Sequence, residues 1–431
     1  MEPRKASVAL LYNGKNATAQ VSPYLASFTY TDVSSGSSDT ISVELNDRDR
    51  KWIGPWLPQT GDRLKPTIRT QNWDVDNIKT SFLCGAFCVD DFSFKGNPIR
   101  MSLDGVAIPA TSSFKSTKRT QTYEKTNLKE IGQKVAERAG IALFYEAKEM
   151  TIEKVEQNDQ DDCSFYNSLV TKYGLAMKIF NDKIVIFDEA TYEQKPTIAT
   201  LTEKDFDPNW SWNTSLAGTY TGVKYEYTNS KKNKTFTVEA GDGDRILTCN
   251  EAAENLTEAT AIALAALNNA NKGTTTLNLT LKGRWYIFAT ACVQIAGLGQ
   301  LSGKHYVEKA VHTLGDSGYK TALKLRKIEE RITEVKTQSS TVAERSKNKK
   351  SSSSKKSSSS SSSTPSKGDT YELKTTKKGY YTAAEAAAGQ VKPGNPSGVR
   401  RPGTYYVFNT SQGMLNLTTA KSVPGSWINP N

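Results

Sequence analysis

Through its first hundred residues the chain alternates apolar and polar side chains, or clusters aromatic ones, in short runs set apart by turn residues. The runs "ASVALLYNGK", "LASFTYTDV", "DTISVELNDRD" and "FLCGAFCVDDFSF" read as half-buried strands, with Gly, Asn, Asp and Pro between them. The period then changes. In "KTNLKEIGQKVAERAGI" Leu128, Ile131, Val135 and Ala139 fall at helical spacing, Asn127 and Glu130 are spaced as a capping box, and Gly140 is the stop. A second amphipathic run, "DDCSFYNSLVTKYG", puts Phe165, Leu169, Val170 and Tyr173 on one side and stops at Gly174. Each helix has one apolar side, the pattern of cover for a sheet.

"LAMKIFNDKIVIFDE" predicts a hairpin, because two β-prone runs flank the turn pair Asn181 and Asp182. Strand patterns return after residue 200 and are interrupted by one alanine-rich helix in "TEATAIALAALNNANKG". The spacing of Ile328, Ile332 and Val335 predicts an exit helix. Beyond it, "SKNKKSSSSKKSSSSSSSTPSKG" has almost no apolar side chain to offset the entropy of ordering a backbone, and reads as a solvated tether. The chain therefore has a body and a tethered tail module. No tandem repeat organises it.

The formal charge of +11 points towards polyanions until it is counted by segment. Residues 343–368 hold seven basic side chains against Glu344, and residues 369–431 hold seven against three acids. The remaining 342 residues carry 42 basic and 41 acidic side chains, so the body has no overall bias towards nucleic acid. Five scattered cysteines fit reduced thiols better than a disulfide framework. The start "MEPRKASVAL" lacks the apolar core of a signal peptide, and no run of about 18 apolar residues is present, so the sequence predicts neither usual export nor a membrane span.

Candidate chemistry is sparse. His305, Glu308 and His312 in "HYVEKAVH" lack the i, i+4 histidine spacing of a metal-binding helix, and the segment reads as a strand. Cys84 and Cys88, an i, i+4 pair on an extended run, have no second ligand pair and read as small buried hydrophobes. "NDQDDC" lacks the alternating ligands and central glycine of a calcium loop, so Asp161 or Asp162 reads as a helix cap. "GDGD" at 241–244 reads as a turn. With no phosphate loop, serine elbow or Cys–His pairing, the sequence predicts no enzyme, no catalytic or metal site and no cofactor.

Several stretches in order resemble the phage late control protein D family, the central baseplate hub of contractile tails, and are similar to the hub part of type VI secretion spike proteins. The first is "DTISVELNDRDRKWIGPWLPQTGDRL", with Asp39, Leu45, Asp47, Trp52, Pro58, Gly61 and Asp62. The second runs from "FCVDDF" to "AERAGI", with Ile108, Pro109, Arg119, Tyr123, Glu124, Leu128 and Ile131; Tyr123 stands where the family commonly has Trp. "DDCSFYNSLVTKYGLAMKIFNDKIVIFDEATYE" and "GKHYVEKAVHTLGDSGYKTALKLR" complete the order. The resemblance implies a mainly β chain in which two tail-tube-like β-barrel domains are joined by a small α/β insertion. The expected boundaries are 1–105 for the first barrel region, 106–200 for the insertion and 201–335 for the second barrel region with one helix. A disordered linker at 336–368 and a small α+β accessory module at 369–431 follow.

The resemblance further implies a homotrimer whose six barrels meet the hexameric tail tube while its threefold symmetry meets the central spike. Other baseplate proteins are further partners, in a phage or a tail-like bacteriocin assembled in the bacterial cytoplasm and then carried in the particle's tail. Neither a membrane nor a specific nucleic acid is expected as a partner. In the tail module, Thr382 and Glu385 are spaced as a capping box, and "GTYYVFN" with "GMLNLT" predicts a hairpin. A faint similarity to LysM-type modules makes Tyr381, Tyr405 and Trp427 the candidate contacts to a glycan or a partner protein. The alternative function is a tethered peptidoglycan-binding protein acting through this module.

Overall fold

The structure is a computed structural model that describes residues 3–107, 113–341, 365–392, 398–420 and 423–430. Ile108, Pro109 and the greater part of the Ser/Lys stretch lie outside the described residues. The chain divides into two compact units, Met1–Arg345 and Ser346–Asn431.

The larger unit is mainly β. Six antiparallel strands neighbour one another in the order Leu25–Val33, Thr40–Asn46, Arg100–Val106, Phe87–Lys95, Arg63–Gln71 and Lys5–Tyr12. Alternation puts Phe28, Tyr30, Val43, Leu64, Ile68 and Met101 on the inner side, where they share one core, so the sheet rolls around them. A second rolled sheet holds Leu277, Leu279, Val293, Val307 and Leu325 in its own core. Its strands are Thr197–Thr202, Ser211–Thr214, Thr275–Lys282, Cys292–Ala296, Gly303–Gly315 and Gly318–Lys327. The two rolls are parts of one 14-stranded sheet, joined where Leu25–Val33 pairs antiparallel with Gly303–Gly315 and Thr31 stands opposite Val311.

A third core draws on chain from both sides of residue 200. Helices Leu128–Ala139 and Asp162–Lys172 pack on the small sheet of Ala142–Glu146, Lys183–Phe187 and Ala176–Phe180. Val223, Tyr225, Phe236 and Val238, from Gly222–Asn229 and Lys234–Gly241, join the same core beside helix Leu256–Asn271. Local sequence explains most of these elements. Asn127 caps the first helix by accepting from the Glu130 amide, and Gly140 ends it in the left-handed region at φ 67°. Glu130 completes no box: its carboxylate accepts instead from the Thr126 hydroxyl at 2.7 Å. Asn181 and Asp182 take φ 47° and 60°, the two positive values that a two-residue hairpin turn requires.

Two expectations need correction. The run "FLCGAFCVDDFSF" is not one strand: Gly85, at φ 111°, breaks it between Lys79–Leu83 and Phe87–Lys95. Cys84 and Cys88 are both buried, but no single strand face carries them. The exit helix is also absent. Residues 328–334 are irregular, and Val335–Thr341 is a strand paired with Lys234–Gly241. Residues 336–341, which composition assigns to the linker, thus belong to the body's sheet.

The smaller unit has a four-stranded sheet in the order Thr370–Leu373, Gly403–Ser411, Met414–Thr418 and Ser426–Ile428. Leu373, Val407, Leu415, Leu417 and Ile428 form its core. The six-residue helix Ala383–Ala388 begins with the expected capping box of Thr382 and Glu385 and ends at Gly389. The sequence-based hairpin lies in place, turning at Gln412 and Gly413.

Candidate functional site

The groups that merit attention lie where the α/β insertion meets the first rolled sheet. In the hairpin Ala176–Phe180/Lys183–Phe187, alternation gives Met177, Ile179, Ile184 and Ile186 to the helices. The opposite side carries Lys178, Phe180, Val185 and Phe187. These face a hollow of about 320 Å³ that Tyr30, Phe82 and Phe288 close from the other side. Lys178 is 9% exposed, and its Nζ bonds the Asp32 carboxylate, the Val33 carbonyl at 2.7 Å and the Asp39 carboxylate at 3.2 Å.

Asp32 and Asp39 are equally dry, at 3% and 0% exposed. Asp32 also accepts from the Ala289 amide at 2.8 Å, while Asp39 accepts from the Val33 amide at 3.0 Å and the Tyr30 hydroxyl at 3.2 Å. Two carboxylates against one ammonium leave an uncompensated negative charge in a dry site unless a proton stays bound. Burial accordingly raises both acids, against the pull of Lys178, and Asp39 reaches about 7 with the Asp32 charge adding to the rise. Burial works to lower Lys178, but the two carboxylates outweigh it and hold the ammonium charged. The cluster can bolt one element to another; it offers no open acid or base.

A second bolt joins the insertion to the second roll. Helix Glu189–Gln194 supplies Glu189 and Glu193. Glu193 receives Arg331 in a fork of two 2.8 Å bonds and lies 2.6 Å from Arg326, while Glu189 pairs with Lys272 at 3.0 Å. Burial acts to raise Glu193, but the Arg331 hydrogen bonds and both guanidinium charges keep it below the usual carboxylate range. Asp182, in the hairpin turn, pairs with Arg63 of the first roll.

Residues that carry the family resemblance serve as pins of this kind. Asp47 is fully buried and holds its loop by accepting from the Trp52 and Ile53 amides at 3.0 and 2.9 Å. Arg119 and Arg138 converge on Asp162, and Arg138 also donates to the Tyr123 hydroxyl. The remaining sequence candidates have similar roles. Asp161, not Asp162, is the cap, accepting from the Ser164 amide at 2.8 Å. His312 is buried and meets the Tyr319 hydroxyl at 2.9 Å; burial lowers it to about 4. His305 packs edge-on against Trp212, and Glu308 pairs with Lys324. Among the described residues no three His, Cys, Asp or Glu side chains are grouped to hold a metal ion, and no helix is long and apolar enough to cross a membrane.

In the smaller unit, Trp427 is half-buried against Tyr380, Ala386 and Met414, and its backbone bridges that of Tyr380. Tyr405 packs on the main core and donates its hydroxyl to the Arg401 carbonyl at 3.0 Å. Tyr381 is 63% exposed. The sequence therefore missed Lys178, Asp32, Glu189 and Glu193, and it named three aromatics of which two are tied into packing.

No protein-family model matches the chain. It is 23% identical over 370 residues to the probable baseplate hub protein of Escherichia phage 186, spanning 73% of this chain and 91% of that one. The probable baseplate hub protein of Escherichia phage P2 is 22% identical over 385 residues, spanning 77% and 94%. Among solved structures, a 43 kDa tail protein of prophage MuSo2 from Shewanella oneidensis superposes with a TM-score of 0.58 at 12% identity, covering 75% of this chain and 98% of that one. The resemblance read from the sequence is met by the two phage hub proteins, and the mainly β fold is that of this tail protein.

Proposed function

We propose that this chain is the baseplate hub of a contractile phage tail or tail-like bacteriocin: a homotrimeric ring that adapts the hexameric tail tube above to the threefold spike below. The observation that carries the reading is the pair of rolled sheets built on one continuous sheet. Three copies offer six such units to a sixfold tube and three equivalent positions to a spike, and closed symmetry of this kind is the usual outcome when one chain self-associates. The buried ionic bolts support it, because a ring that bears load needs its insertion fixed to both rolls. The role is structural, not enzymatic. The chain assembles in the bacterial cytoplasm and ends in the particle's tail, with tube, spike and other baseplate proteins as partners.

Light scattering of the full chain, alone and with tube and spike proteins, followed by particle averaging, tests this. A threefold ring is the expected result; a chain that remains monomeric with both partners present sinks the proposal. A second reading rests on Tyr381, whose exposed ring suits stacking on a sugar: the tail module holds peptidoglycan. The full chain should then sediment with purified cell walls, and deleting residues 369–431 or substituting Tyr381→Ala should release it.

A further inference from the structure

The Lys178 cluster holds more than a bolt requires. Lys178 Nζ contacts Oδ1 of Asp32 and lies 3.2 Å from the Asp39 carboxylate. The other Asp32 oxygen, Oδ2, accepts from the Ala289 amide at 2.8 Å, and the Tyr30 hydroxyl fixes Asp39 at 3.2 Å. All three ionisable side chains are buried, and the rings of Tyr30, Phe82, Phe180 and Phe288 line the hollow beside them. An amine, a carboxyl carbon, a second carboxyl able to carry a proton and an N–H set on one carboxyl oxygen are the parts of an acyl transfer: nucleophile, electrophile, proton relay and oxyanion donor.

We propose that this cluster closes into a covalent cross-link, an amide between Lys178 Nζ and Asp32 Cγ that ties the insertion to the first roll. In water an ammonium and a carboxylate stay apart as hydrated ions; in a dry site that hydration is lost and a neutral amide replaces two buried charges. One ammonium proton passes to Asp32, which frees the Nζ lone pair to form a bond to Cγ while Oδ2 takes up negative charge against the Ala289 amide. The Asp39 carboxyl takes a second proton from the nitrogen and gives its own to the Oδ1 hydroxyl, which leaves as water. Ammonium and carboxylate thus become one amide and one water; nothing is oxidised or reduced, and Asp39 ends protonated as it began. The link closes a loop spanning 146 residues, so it constrains the unfolded chain as a long-loop disulfide does, but no reductant opens it. The reaction occurs within one chain, whether or not that chain joins a ring, and the ionic cluster with its titration belongs to the chain before reaction.

Mass spectrometry of the denatured full chain, fresh and after days of incubation, tests this. A species lighter by one water should accumulate, and trypsin should no longer cut after Lys178 but release a branched peptide that contains Asp32. Asp32→Asn should lose ammonia instead of water and converge on the same product mass. Lys178→Arg keeps the cation, with its fold verified by circular dichroism, and should keep its full mass. Asp39→Asn should slow the reaction at least about a hundredfold; an unchanged rate removes Asp39 from the relay. A wild-type chain that retains its full mass and is still cut at Lys178 overturns the cross-link. So does a water loss that persists in Lys178→Arg, which marks a succinimide elsewhere.

Discussion

At the joints of the larger unit, ionised side chains are buried in groups: Lys178 with Asp32 and Asp39, and Arg326 and Arg331 with Glu193. In the smaller unit the buried carboxylate, Glu385, is met by the backbone amides of Thr382 and Lys392, and five apolar side chains form the main core. The difference follows from what each unit must join. About 60 residues enclose one small core and need only caps and packing. The larger unit has three cores to hold in register, and a buried ion group accepts only one geometry. Apolar contact tolerates sliding; a buried charge set does not, because each misplaced group is left unpaired in a dry medium.

Breaking a bolt should have the largest effect. Lys178→Met strands two carboxylates and should cost about 3–5 kcal/mol of body stability, measured by urea unfolding of the full chain. Hydrogen exchange reads body and module peptides separately, and the module should not change. Adding Asp32→Asn and Asp39→Asn should recover much of the loss. If Lys178→Met alone unfolds nothing, the bolt is not a structural determinant.

Titration sharpens the same contrast. Asp39 sits at about 7 in the folded chain against 3.8 as its ordinary value, so the folded state binds the extra proton between those pH values. Stability from this group is therefore fully present below about pH 4 and is lost as pH rises from there through 7, by a few kcal/mol. Glu193 and Asp162 act in the opposite sense: their carboxyls are held low, so the stability they contribute is lost as pH falls below about 4. The body should be most stable near pH 4, where the two trends cross, and Asp39→Asn should weaken the decline towards pH 7. A flat profile in the unsubstituted protein rules out the shared proton.

In the module, Leu415→Ala should cost at least about 2 kcal/mol and open the 403–418 hairpin to exchange while leaving the body protected. The smallest effect is expected at the helix cap: Thr382→Ala should cost about 1 kcal/mol, seen as faster exchange of the Glu385 amide.

What the sequence disclosed follows the range of the interactions involved. The helix at 128–139 and the hairpin at 176–187 were legible because cap, stop and turn residues lie within a few positions of the elements they set. Val335–Thr341 was not: "VKTQSST" has no apolar alternation, and its pairing with Lys234–Gly241, a hundred residues upstream, makes it a strand. The apolar spacing of Ile328, Ile332 and Val335 suggested a helix, but tertiary contacts decided otherwise. In "LAMKIF" Lys178 stands between apolar neighbours as the polar side of any half-buried strand does. Its burial depends on Asp32 and Asp39, nearly 150 residues away, and no local pattern announces that.

The strand pair that unites the two rolls also sets a timetable. Thr31 and Val311 stand opposite each other, so roughly 280 residues separate the partners. A ribosome adding about 5–20 residues per second takes on the order of tens of seconds to cover that distance. Throughout that interval the edge of Leu25–Val33 has no partner, and a second nascent chain nearby presents the same unpaired edge. Crowded translation, with many copies made at once, is therefore the condition under which this sheet is most exposed to pairing with the wrong molecule.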